Sequence, residues 1–170
     1  MKIRTGSVAI LIFLLASAAA AQTKLTATLH CPKPRALATE PAGDEAGHMM
    51  TLEKSTCTWL TPFEMAGERA TEGGFVAFSE KGSTRAATNG TFVGSIASGD
   101  KFYISFRWAT TYAEPSDRVK GYWEFTGGTG KLSGITGTGT YTANENESGG
   151  EVNWDGEYAV PEKTDTRPTK

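Results

Sequence analysis

Few side chains in this sequence could take part in chemistry, and each belongs to a pattern with a plainer reading beside it. Arg69 keeps the alternating phase of Phe63, Met65 and Gly67. On a strand it would share their face and could meet a carboxylate or a phenol inside the molecule; at a strand end it would reach solvent instead. Glu64 and Glu68 fall on the opposite face of that strand, with Glu72 beyond, where a solvated exterior explains them better than an acid–base pair. His30 and His48 are the only histidines, with Asp44 and Glu45 just before His48. A metal centre needs three or four converging ligands at a recognisable spacing, and that pattern is missing. No Gly-x-Ser-x-Gly elbow anchors a Ser-His-Asp triad. The sequence therefore predicts neither metal nor cofactor, and it identifies no catalytic residue. Trp59, Phe106, Trp108, Trp123 and Trp154 remain: on inward faces they would either line a cavity for a small apolar ligand or simply fill the interior.

Those rings lie in runs of period two, the signature of half-buried strands. The clearest is Lys101 to Ala109, with Phe102, Ile104, Phe106 and Trp108 on one face and Lys101, Tyr103, Ser105 and Arg107 on the other. Arg118 to Phe125 places Val119, Gly121, Trp123 and Phe125 together, and Glu151 to Tyr158 does the same for Val152, Trp154, Gly156 and Tyr158. Further strands are expected around Leu25 to His30, Phe63 to Ala70, Gly74 to Glu80, Arg85 to Ala97 and Thr136 to Ala143. A run from His48 to Leu60 changes phase between Leu52 and Cys57, which predicts a bulge near Lys54 to Thr56. Pro32, Pro34, Pro41 and Gly43 predict an irregular loop, and Ser98-Gly99-Asp100 a hairpin turn. No convincing helix and no fixed-period repeat is found.

Eight or nine such strands in sequential hairpins can bury their apolar faces by closing into a barrel or stacking as a sandwich. Closure is favoured because it removes exposed edges. The expected fold is an all-β, antiparallel, eight- to nine-stranded up-and-down barrel, with a β-sandwich as the alternative. An immunoglobulin-type sandwich fits poorly, since no tryptophan of the required core arrangement accompanies the cysteines.

Lys2 and Arg4 precede an apolar run from Val8 to Leu15 and the small residues Ala16 to Ala21. This order predicts a signal peptide, residues 1–21, cleaved after Ala21, because the run is shorter than a membrane span and ends in Ala-x-Ala. Export to the periplasm or beyond follows, leaving one domain over 22–160 and a loose polar tail over 161–170. The leader carries two positive charges, so the net charge falls from −2 to −4 on its removal. With basic and acidic residues scattered, nucleic acid and stable membrane insertion are poor expectations. Twenty glycines and many threonines suit strands and tight turns. The two cysteines, Cys31 and Cys57, both lie in the exported part, which predicts a structural disulfide rather than a redox pair lacking Cys-x-x-Cys spacing. Asn89-Gly90-Thr91 and Asn146-Glu147-Ser148 are glycosylation sequons.

The stretch Tyr122-Trp123-Glu124-Phe125-Thr126-Gly127-Gly128-Thr129-Gly130-Lys131-Leu132-Ser133-Gly134-Ile135-Thr136-Gly137 resembles the strand, Gly-Gly-Thr-Gly-Lys turn and following glycine-rich strand of the allene oxide cyclase and dirigent barrel superfamily. The resemblance implies an eight-stranded antiparallel barrel and, by analogy with the plant cyclases and dirigent proteins, a hydrophobic or phenolic ligand held in the barrel beside a few polar wall residues. None of those wall residues matches a position here. Gly127, Gly128, Gly130, Gly134 and Gly137 are read as structural turn residues; they lack the spacing of a phosphate-binding loop. Taken together, the sequence predicts an exported barrel that binds a small hydrophobic molecule, with Trp59, Arg69, Phe106, Trp108, Trp123 and Trp154 as candidate ligand contacts. A cyclase-like or dirigent-like enzyme and a structural or partner-binding domain without ligand are the alternatives.

Overall fold

The computed structural model describes residues 22–111, 118–146 and 148–161; the leader 1–21 and nearly all of the expected tail lie outside the described residues. Ten strands follow one another: β1 (Thr23–Pro32), β2 (Arg35–Pro41), β3 (Met49–Trp59), β4 (Glu64–Met65), β5 (Glu68–Lys81), β6 (Arg85–Ile96), β7 (Lys101–Thr111), β8 (Arg118–Gly128), β9 (Thr136–Asn146) and β10 (Gly149–Ala159). A 3-10 turn, Gly130–Leu132, joins β8 to β9. Among the described residues no helix is long and apolar enough to cross a membrane.

Eight strands close a ring in chain order, β1-β3-β5-β6-β7-β8-β9-β10 and back to β1, every pair antiparallel. This is the up-and-down barrel that the alternating patterns predict, with β2 and β4 added outside the ring. Closure is uneven. β1 meets β10 from Thr23↔Tyr158 through Pro32↔Gly149, whereas β1 meets β3 only at Leu29↔Trp59 and His30↔Thr58. Covalent chemistry reinforces this thin seam: Cys31 and Cys57 are bonded across it, as the sequence predicts. The Ser55 hydroxyl also donates to the Pro32 carbonyl over 2.9 Å.

Three local expectations are corrected. Phe63 to Ala70 is not one strand but a tight hairpin, β4 to β5, turning on Ala66 (φ 51°) and Gly67 (φ 74°). Two successive left-handed residues are what a two-residue hairpin loop requires, and the reversal hands the inward phase to Ala70 while Arg69 is exposed. Next, β3 carries no bulge at Lys54 to Thr56, since its register with β5 is unbroken from Met49↔Lys81 to Cys57↔Gly73. The phase of Cys57 and Trp59 rules the strand, so Thr51 and Glu53 turn inward and Leu52 turns out, opposite the equally exposed Phe78. An apolar cross-strand pair can satisfy itself on the exterior. Finally, the stretch expected as an irregular loop after Pro32 contains β2, an edge strand on β3. Its Pro41 sits where a missing N–H removes no ladder bond, as proline on sheet edges does.

Inside the ring, large rings lie over glycines of the neighbouring strand. Gly94 faces Phe102 and Gly90 faces Phe106 across β6 and β7; Gly121 faces Tyr141 and Gly139 faces Trp123 across β8 and β9. A Cβ at Gly94 would come within 2.1 Å of the Phe102 ring, and one at Gly121 within 2.3 Å of Tyr141. Aromatic and glycine positions thus interlock, which pins register and allows the sheet to curve tightly.

One end of the barrel is plugged. Phe63 and Met65 from the β4 hairpin, Ile96, Phe102, Leu132, Ile135 and Tyr158 are all buried there in one apolar cluster. The Gly-Gly-Thr-Gly-Lys turn closes this end: Lys131 pairs with Glu68, its backbone N–H donates to Asp100 over 2.8 Å, and the Ser98 N–H donates to Glu68 over 2.7 Å. Hydrogen bonding from Lys131 and then Ser98 lowers the Glu68 carboxyl to about 2. Gly130 suits this turn, with φ 51° and an ideal Cβ only 1.9 Å from the Asp100 carboxylate that Lys131 engages. Gly127, Gly134 and Gly137 also have positive φ, and a Cβ on Gly128 would strike the Leu132 carbonyl.

Candidate functional site

The other end of the barrel is open. A cavity of about 450 Å³ enters it, bounded by the inward faces of the ring strands and by the Pro32-Lys33-Pro34 connector. Its size falls in the range of ordinary small-molecule sites. Phe75, Phe106, Trp108 and Val119 are half-buried on its wall, and Trp123, Tyr141 and Trp154 are buried deeper. The rings are set mostly edge to face, Phe75 on Phe106 at 5.7 Å and Phe106 on Tyr141 at 6.2 Å, while Trp123 stacks on Trp154 at 5.8 Å. Such geometry fixes the rings relative to one another. The Trp123 indole is further held by its N–H, which donates to the Thr140 carbonyl over 3.0 Å.

Of the six residues proposed from sequence as ligand contacts, the structure brings four together on this wall, Phe106, Trp108, Trp123 and Trp154. Trp59 is elsewhere: it packs among Phe63, Phe92 and Trp154, and its buried indole N–H has no hydrogen-bond partner among the described residues. Arg69 is at the plugged end, exposed, with its carbonyl accepting from the Ala97 N–H over 3.0 Å. The hairpin reversal described above carries it away from the cavity.

Sequence reasoning missed the polar part of the site. Glu53, Ser79 and Thr88 line the same cavity from β3, β5 and β6. The Ser79 hydroxyl donates to Glu53 over 2.6 Å and lies 2.8 Å from the Thr88 hydroxyl, forming a short chain along the wall. Ser79 and Thr88 are direct cross-strand neighbours, and Thr88 in turn faces Trp108. The signal that could have found Glu53 is the disulfide: stepping back by twos from Cys57 puts 55, 53 and 51 on the inner face.

At the rim, the β2–β3 loop is latched onto the β5–β6 turn. Buried His48 lies 2.6 Å from Asp44 through Nδ1 and 3.1 Å from Glu80 through Nε2, and Arg85 donates to the same Glu80 oxygen over 2.7 Å. Glu45 accepts from the backbone and hydroxyl of Ser83. The hydrogen bond to Asp44, aided by the charges of Asp44 and Glu80, raises the His48 pKa; the same bond to His48 lowers that of Asp44. Among the described residues no group of three or more His, Cys, Asp or Glu side chains is placed to hold a metal ion. A second depression, more open than the inner cavity, lies on the outer wall of β6 to β9 and is lined by Arg107, Tyr122, Glu124 and neighbouring threonines.

No family model matches the chain, and no curated protein does. Similar solved structures exist. The pterocarpan synthase dirigent protein GePTS1 superposes with a TM-score of 0.57 at 14% identity, over 90% of this chain and 92% of that one. The pterocarpan synthase dirigent protein PsPTS1 gives 0.50 at 11% identity, over 84% of this chain and 97% of that one. At such identities the likeness is one of fold: the barrel resembles that of these dirigent proteins.

Proposed function

We propose that this protein is an exported barrel whose open half holds a small, largely apolar molecule. The observation that carries the reading is the 450 Å³ cavity itself, with seven aromatic residues in its lining and the hydrogen-bonded Glu53 carboxylate beside them. Sites of that composition take their affinity from apolar area and their orientation from the few polar groups. Export is supported by the leader-like sequence 1–21 and by the Cys31–Cys57 bond, which persists in oxidising compartments. Uptake of a neutral apolar fluorophore such as a phenylnaphthylamine tests the reading: Trp108→Ala should weaken uptake several-fold, and unchanged uptake would count against a ligand in this cavity.

A second reading, dirigent-like or cyclase-like chemistry on the bound molecule, is favoured by the Glu53–Ser79–Thr88 chain. A carboxylate backed by hydroxyls in a partly dry pocket can accept a proton from a ligand and return it, while the walls hold the ligand in one reactive orientation. Glu53→Gln would then stop turnover of a bound substrate without preventing its binding.

A further inference from the structure

Charge is distributed unevenly over the cavity. Below the rim, among the side chains described on the cavity wall, Glu53 is the one acidic or basic group. Lys33 and Lys81 are exposed at the mouth, and Glu80 beside them is taken up by His48 and Arg85. Along the ladder Glu53 is followed by Ala77, then Gly90, then Phe106. The Phe106 ring lies over Gly90, its tip 2.7 Å from where a Cβ would stand, so along the wall only the Ala77 methyl separates that ring from the carboxylate, and Glu53 itself lines the open cavity. Ser79 engages Oε1; Oε2 takes no hydrogen bond from the described residues.

Ligand classes fare differently in such a place. A hydrocarbon would strip water from the carboxylate and give nothing back. An anion would be repelled by it. An alcohol or phenol could donate one hydrogen bond. An organic cation would donate a charge-assisted bond, neutralise Glu53, and rest against aromatic faces that attract positive charge. We infer that the cavity is selective for compact hydrophobic amines, with the ammonium group at Glu53 and the apolar body among Phe106, Trp108 and Trp154. The inference rests on the proposed binding function and adds the class of ligand to it.

Isothermal titration of the mature, disulfide-bonded protein at pH 7 with three matched probes tests it: 2-naphthylmethylamine, 2-naphthylmethanol and 2-naphthoate. The amine should bind about tenfold or more tighter than the alcohol, the gain of one charge-assisted contact, and the carboxylate should bind weakest. Glu53→Gln should bring the amine down to the level of the alcohol, and an unchanged far-ultraviolet circular dichroism spectrum and thermal transition show that the variant is folded. If the alcohol binds as well as the amine, or better, the selectivity is overturned and the binding function stands. If none of the three binds at millimolar concentration, the binding function itself falls. The ranking in the unsubstituted protein decides between these results whether or not the variant folds.

Discussion

The two halves of this barrel are built from the same strands and do opposite things. Along β6 the inward residues toward the plugged end are Phe92 and Ile96; toward the open end they are Ala86, Thr88 and Gly90. Along β5 they pass from Phe75 to Ala77 and Ser79. Toward the plugged end, extra side chains arrive from outside the ring as well, Met65 from β4 and Leu132 from the 3-10 turn, both wholly buried. At the mouth, the additions are a latch of polar groups that leaves the interior free. An eight-stranded ring is just wide enough to be filled by side chains, so whether a half is core or cavity is decided by a few small residues per strand.

The sharpest way to break this contrast is to truncate one large ring in each half. Phe102→Ala, in the plugged half at 0% exposure, should cost about 3–5 kcal/mol of stability, the usual range for a buried phenylalanine. Trp108→Ala, half-buried on the cavity wall, should cost about 1–2 kcal/mol, because one side of the ring already lacks packing partners. Urea unfolding of the two variants measures both. Equal losses would mean that the open half is packed like the other and that no cavity exists to fill.

The disulfide comes next in size. It ties β1 to β3 where the ring has its fewest paired residues, and Cys31 also lines the cavity. Closing a loop with a sequence separation of 26 is worth about 3–4 kcal/mol in the chain-entropy account. Replacing both cysteines by serine should lower the urea midpoint accordingly. It should also raise hydrogen exchange in β1 and β3 before it does so in the plug around Ile96 and Leu132. Uniform loosening of both halves would show that the seam is no weaker than the rest.

The plugged half was the more legible from sequence, for a physical reason. Where a strand buries large residues strictly by twos, as Lys101 to Ala109 and Glu151 to Tyr158 do, the pattern states the inward face without ambiguity, and those strands appear as expected. The Gly-Gly-Thr-Gly-Lys turn was legible too, since its chemistry is local. The cavity was not. A cavity wall needs small and polar residues facing inward, so Thr51 and Glu53 read as a solvent face and Leu52 as a core residue, the reverse of their positions. Arg69 was misplaced by a hairpin whose first turn residue is Ala66, a residue type that does not announce a positive φ. In each case the feature that defeated the pattern is one that makes room or reverses the chain, and the hydrophobic alternation carries no signal for either.

The smallest effects separate the ends by pH, in opposite directions. At the mouth, His48 gains two carboxylate partners on folding and its pKa rises above 6.5. The latch is therefore at full strength below 6.5 and weakens as pH climbs through the raised folded value. Asp44, lowered below 3.8 by the same contact, sets a limit on the acid side only below that value. At the plugged end, Glu68 has fallen from 4.5 to about 2. Its pairing with Lys131 is intact above 4.5 and is lost as pH drops toward about 2. Amide exchange should thus quicken, after correction for intrinsic rates, in residues 42–48 on going from pH 6 to pH 9. In residues 98–100 and 129–132 it should quicken only on acidification below pH 4.5. His48→Gln should abolish the first response and leave the second untouched. A single pH profile shared by both segments would mean that the mouth and the plug open together, as one cooperative unit, and the division of the barrel into two independent halves would have to be given up.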